Sequence, residues 1–126
     1  MTLGPLCSML AVVFFAACAC GRPAEPVSSR VAVDLGNVNA EGLRGGPGAL
    51  RAVHYEFCIP ADERHAAEIR AIDPTAQLMP GSRGRIGCPK AQTLVVGSTH
   101  QPGYRQVLDR LVARPYVARI VEAFFE

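Results

Sequence analysis

Cys58 and Cys88 are the residues of this chain with the most chemistry open to them. Two thiols can close a disulfide, hold a soft metal such as copper or zinc, or supply one activated nucleophile. A closed metal site wants four ligands, and no CxxC or HxH spacing supplies the other two. A catalytic thiol wants an adjacent base, and the sequence shows none. A structural disulfide is therefore the expectation, closing a loop of about 30 residues and contributing roughly 3–4 kcal/mol through loop entropy. No resident metal and no cofactor are expected.

The string GSRGRIGC, from Gly81 to Cys88, is the second constellation. Its glycines allow close backbone approach, and Ser82, Arg83 and Arg85 could join backbone N–H groups in an anion nest. It lacks the strand-loop-helix context of a phosphate loop, so a glycine-rich hairpin with solvated arginines is the plainer alternative. His100, in the stretch Gly97–Gln101, completes the set of ligand-binding candidates with Ser82, Arg83 and Arg85. His54 and His100 would lie at matching ends of neighbouring strands, as a metal or proton-shuttle pair or as two exposed strand-end histidines. His65, among Glu63, Arg64 and Glu68, reads as solvated. Glu56 and Arg119 suit a cross-strand ion pair. No Ser-His-Asp arrangement, nucleophile elbow or HExxH is present, and an enzyme is not expected.

Charge narrows the partners. The 13 basic and 11 acidic residues leave a formal net charge of +2, too balanced for a nucleic-acid partner. All the basic residues except Lys90 are arginine, a bias that fits GC-rich coding as well as it fits arginine chemistry. With no Trp and 6% aromatic residues, a carbohydrate platform is poorly supplied.

The elements that would position these residues lie after Leu50. Ala52–Ile59 alternates, with Val53, Tyr55, Phe57 and Ile59 on one face and His54, Glu56 and Cys58 on the other: a half-buried strand. Asp62–Ile72 reads as a helix, stopped by Asp73-Pro74. Ala76–Met79 is a short strand, Pro80–Lys90 a loop, and Gln92–Thr99 a clear strand. Tyr104, Val107, Leu108, Leu111 and Val112 recur at helical spacing, and Pro115 ends that helix before a last strand. The order β-α-β-β-α-β predicts a ferredoxin-like α+β sandwich over residues 52–126, a four-stranded antiparallel sheet with two helices on one face. The first and third strands would then be antiparallel neighbours, which brings Cys88 toward Cys58. The open face, carrying His54, Glu56 and Cys58, would be solvated or occupied by a partner. Residues 20–51, rich in Gly, Pro, Ser and Asn, read as a flexible tether, although RVAVDLGNV could form a short strand.

Leu6–Ala17 is an apolar run of about twelve residues, short of the roughly 20 that span a bilayer and suited to an export signal over residues 1–19. Ala17-Cys18-Ala19 fits ordinary signal peptidase. FAAC and ACAC also resemble the bacterial lipobox, which implies acylation at Cys20, or at Cys18. The chain is then an exported protein of the periplasm or outer surface, held to a membrane only through its N-terminal lipid.

The stretch LDRLVARPYVARIVEAFFE resembles the end of subtilisin-type propeptide inhibitors, at Leu108, Leu111, Pro115, Val117, Ile120 and Glu122. That resemblance implies a protease-inhibitor module. The leading expectation is a non-enzymatic binding module of the cell envelope, with an unknown protein or a small anionic ligand as partner. A soft-metal-binding protein using Cys58 and Cys88 is the alternative from a different class.

Overall fold

A computed structural model describes residue 4 and residues 29–125. The expected export signal, the acylation candidates Cys18 and Cys20, and the first part of the expected tether lie outside the described residues.

The chain runs through β1 (Val31–Ala32), β2 (Leu43–Arg44), β3 (Arg51–Ala52), β4 (His54–Pro60), α1 (Glu63–Ile72), β5 (Gln77–Met79), β6 (Gln92–Ser98), α2 (Tyr104–Val112) and β7 (Ile120–Ala123). The fold is α+β. The period-two run becomes β4, which pairs antiparallel with β6 along its length, His54 opposite Ser98 and Pro60 opposite Gln92. β7 lies antiparallel on the other side of β4, and β5 lies antiparallel on β6. Both helices end where the sequence places a stop. Asp73 closes α1 in an extended conformation, as a residue before proline prefers, and α2 ends at Val112, short of Pro115. Asp62 caps α1 by accepting from the His65 backbone N–H at 2.9 Å.

The sheet does not stop at four antiparallel strands. β1 joins β7 in parallel, making a mixed five-stranded sheet of order β1-β7-β4-β6-β5, and β2 with β3 makes a separate two-stranded sheet. The expected tether therefore gives way to folded chain over residues 30–52. The physical reason is apolar patterning within a Gly- and Pro-rich stretch. Val31, Val33 and Leu35 pack against the core, and Val38 is buried in it. Polar anchors hold the same segment. The Arg30 carbonyl accepts from the Ile120 N–H at 2.9 Å, while its guanidinium donates to the Val112 carbonyl at 2.6 Å and the Val117 carbonyl at 2.9 Å. Val112 ends α2, so this arginine satisfies a carbonyl that the helix itself leaves open.

Between the helices and the sheet lies the main core. Tyr55, Phe57 and Ile59 of β4 and Val95 of β6 meet Ile69 of α1 and Leu108 and Leu111 of α2, all at 0% exposure. The five apolar positions expected along α2 are all buried. The hairpin is locked to this body at Gly42, whose φ of +78° favours glycine, and whose carbonyl accepts from the Thr99 hydroxyl at 2.6 Å. A Cβ on Gly42 would overlap the Thr99 carbonyl. Gly42→Ala should therefore cost at least about 2 kcal/mol in urea unfolding, from backbone strain and overpacking together. A loss below ~0.5 kcal/mol, the scale of an ordinary surface substitution, would show that residues 30–52 fold outside the cooperative unit.

Candidate functional site

Register places the chemistry. Because side chains alternate along β4, His54, Glu56 and Cys58 face away from the helices, opposite Ser98, Val96 and Leu94 of β6. Cys58 and Cys88 stand in disulfide geometry, with Cα atoms 5.6 Å apart, inside the window a bridge requires. This draws the loop between β5 and β6 back across the outer face. Ile86 and Cys88 pack with Cys58, Leu94 and Val96 in a second small core. Half of the face expected to be open is thus covered by the chain itself.

The anion nest sought in the Gly/Arg loop already has an intramolecular anion. The Ile86 N–H donates to Glu56 Oε1 at 2.7 Å, and the Glu56 carboxylate is only 5% exposed. Gly84, at φ +62°, lets the loop close over Leu94 and that carboxylate, where a Cβ would collide with both. Arg119 donates to the Ile86 carbonyl at 3.4 Å. Glu56 and Arg119 therefore grip the two sides of one loop residue instead of pairing with each other. Ser82 is half-buried, whereas Arg83 and Arg85 are exposed on the loop. His100 follows the opposite end of β6, where its Nδ1 lies 3.0 Å from the Glu41 carbonyl, so the loop residues and His100 form no common site. His54 packs its ring edge-on to Phe125 with centroids 5.1 Å apart, and no His54–His100 pair forms. His65 is engaged as well, with Nδ1 2.6 Å from Asp62 Oδ1 and its ring 4.5 Å from Tyr116. Among the described residues, no three His, Cys, Asp or Glu side chains gather where they could hold a metal ion.

Beneath the sheet end lies a buried polar network that no sequence pattern announced. Asp73, at 0% exposure, accepts from the Tyr55 hydroxyl, from the Thr75 hydroxyl at 2.6 Å, from the Thr75 backbone N–H at 2.9 Å and from Gln101 Nε2 at 3.0 Å. The Ser98 N–H donates to the Thr75 hydroxyl at 2.9 Å. This network ties the end of α1 to the end of β6 and the approach to α2. It is enclosed, so its role is to hold elements together. Burial first, then the neighbouring Asp73 carboxylate, pushes the Tyr55 phenol well above its ordinary 10.0.

The open concavity lies at the His54 end of the sheet, between the β2–β3 hairpin and the end of β7. It has a volume of about 740 Å³ and is lined by Arg44, Arg51, His54, Glu122, Phe124 and Phe125 among others. A smaller recess of about 480 Å³ lies next to it over Ser98 and Gln77, sharing His54 and Phe125. Phe124 and Phe125 are 59% and 67% exposed. Arg44 is paired with the Glu122 carboxylate. Arg51 is exposed, and its guanidinium makes no hydrogen bond or ion pair with the described residues. Sequence reasoning reached His54 and missed the rest. Arg44 and Arg51 sat in the presumed tether, and the only available signal was the unusual Phe-Phe pair after the last strand.

No family model matches this chain, and no curated protein or solved structure matches it either. Among the described residues, no helix is long and apolar enough to cross a membrane.

Two measurements check this geometry. Reducing the Cys58–Cys88 bridge should lower unfolding free energy by about 3 kcal/mol and free the loop over Glu56. Unchanged stability would place the bridge outside the cooperative fold. Tyr55→Phe should cost about 1–3 kcal/mol by removing the one donor to Asp73 Oδ2 among the described residues, while Thr75 and Gln101 still serve Oδ1. Because the folded phenol's pKa is raised, its stabilisation is fully present below pH ~10 and is lost as pH climbs above that value. Wild-type denaturation midpoints should fall on that alkaline limb, and the fall should be smaller in Tyr55→Phe.

Proposed function

We propose that this protein is an exported, lipid-anchored, non-enzymatic binding module, and that the concavity at the His54 end of the sheet is where it takes a small ligand. One observation carries the reading. The same recess of about 740 Å³ gathers two exposed phenylalanines and an arginine with no hydrogen-bond or ion-pair partner among the described residues, on a body whose other sheet half is closed by its own loop. That volume falls in the range of small-molecule sites. Exposed aromatic side chains cost hydration that a bound apolar group would recover.

The frame fits a ferredoxin-like core, formed by β4, α1, β5, β6, α2 and β7, with β1 added at the β7 edge. An anchor at Cys20 would leave residues 21–29 as the link to Arg30, a reach of at most roughly 30 Å. The module would then stand close to its membrane. Arg30 meets the sheet beside Ile120 and the end of α2, while the recess lies at the other end of β7, beside the start of β4. The soft-metal alternative loses its two thiolates to the Cys58–Cys88 bridge.

Site-resolved NMR tests the reading. Full-length protein, carbon-13 labelled in His and Phe, is titrated with octanoate, octanamide and octylammonium below their aggregation limits. At least one of the three should shift His54 and Phe125 saturably while His65 and His100 stay fixed. No saturable shift at His54 or Phe125 with any of them would refute the site. Phe125→Ala should weaken the binding about tenfold, the scale of one lost aromatic anchor.

A further inference from the structure

The charges around the recess separate into one satisfied pair and one remainder. Arg44 is neutralised by Glu122, and it also reaches the Asp34 carbonyl at 3.4 Å. Arg51 stands beside them on β3 with no hydrogen bond or ion pair to the described residues. Among the described residues the recess thus carries one guanidinium without a paired carboxylate, together with the His54 imidazole. A guanidinium presents a planar fork of N–H donors that matches a carboxylate in two parallel hydrogen bonds. A single fork suits a monoanion; a phosphate dianion would call for further donors. The Phe124 and Phe125 rings supply the complementary apolar wall, and they lie in the same recess as Arg51.

Resting on the small-ligand site proposed above, we propose that its ligand is an amphipathic monocarboxylate, with the carboxylate held by Arg51 and the apolar chain laid against Phe124 and Phe125. Among the described residues Glu122 is the one carboxylate lining the recess that would repel such a ligand, and its pairing with Arg44 offsets that repulsion. His54, edge-on to Phe125, lines the same recess. Arg51 is exposed and has no side-chain hydrogen bond or ion pair with the described residues, so Arg51→Gln removes no contact of that kind from the fold.

The three probes share one eight-carbon chain and differ only in head charge, and they are compared on full-length wild type and on Arg51→Gln. Octanoate should bind wild type about tenfold more tightly than octanamide or octylammonium, the factor one charge-assisted hydrogen-bond pair supplies. In Arg51→Gln that preference should collapse to within twofold, while octanamide binding stays as in wild type. Phe124→Ala should weaken all three probes together and leave the preference for octanoate. Equal binding of the three probes to wild type would overturn the carboxylate assignment and leave the small-ligand site standing. An octanoate preference that survives Arg51→Gln would overturn the role of Arg51. Saturable binding by none of the probes would remove the site itself, and with it this inference.

Discussion

Pairing of β4 with β6 carries the architecture of this protein, because every other placement is measured from it. Seven consecutive residue pairs, from His54–Ser98 to Pro60–Gln92, fix which side chains point to the helices and which point away. A slip of one residue would turn Tyr55, Phe57 and Ile59 to the outer face and bring His54, Glu56 and Cys58 into the core. The register is held at Gly97, opposite Tyr55, where a Cβ would drive into the tyrosine ring. Tyr55 in turn reaches Asp73, so the strand pair also sets where α1 must end.

That last link explains how a small fold tolerates a fully buried carboxylate. A buried charge is costly unless it is hydrogen-bonded. Asp73 meets the condition with donors from Tyr55, Thr75 and Gln101, which come from β4, the turn after α1 and the turn before α2. Glu56 follows the same rule on the outer side, where the Ile86 N–H is its donor. Each acid fastens a different segment to the sheet. One holds the helical layer, and the other holds the loop that also carries Cys88.

The two halves of the outer face therefore differ in kind. At the Cys58 end, the disulfide, the small core around Ile86 and the Glu56 contact fasten the loop to the sheet, with Arg83 and Arg85 left exposed on it. At the His54 end, the hairpin and the end of β7 line a recess with two exposed aromatic rings and a guanidinium that has no partner among the described residues. Arg30 contributes at a distance, by pinning the segment that leads into the hairpin against α2 and β7. The Thr99–Gly42 hydrogen bond and the Arg44–Glu122 pair then hold the hairpin itself to the sheet.

Local pattern in the sequence determined the strands β4 and β6, both helices with their stops at Pro74 and Pro115, the buried stripe of α2, and the strand neighbourhood that brings Cys58 to Cys88. These follow from periodicity, proline geometry and short-range propensity, which each segment carries by itself. The tertiary structure alone decided that residues 30–52 belong to the fold, that the loop after β5 turns inward onto Glu56, and that Arg51 lines one recess with Phe124 and Phe125. A two-residue strand such as β1 has no readable period, and its pairing exists only because β7 offers an unpaired edge and the core offers apolar surface. The partners of Asp73 and Glu56 lie far away in sequence, and the cost of burying each acid can be met only where the folded chain brings those donors to it.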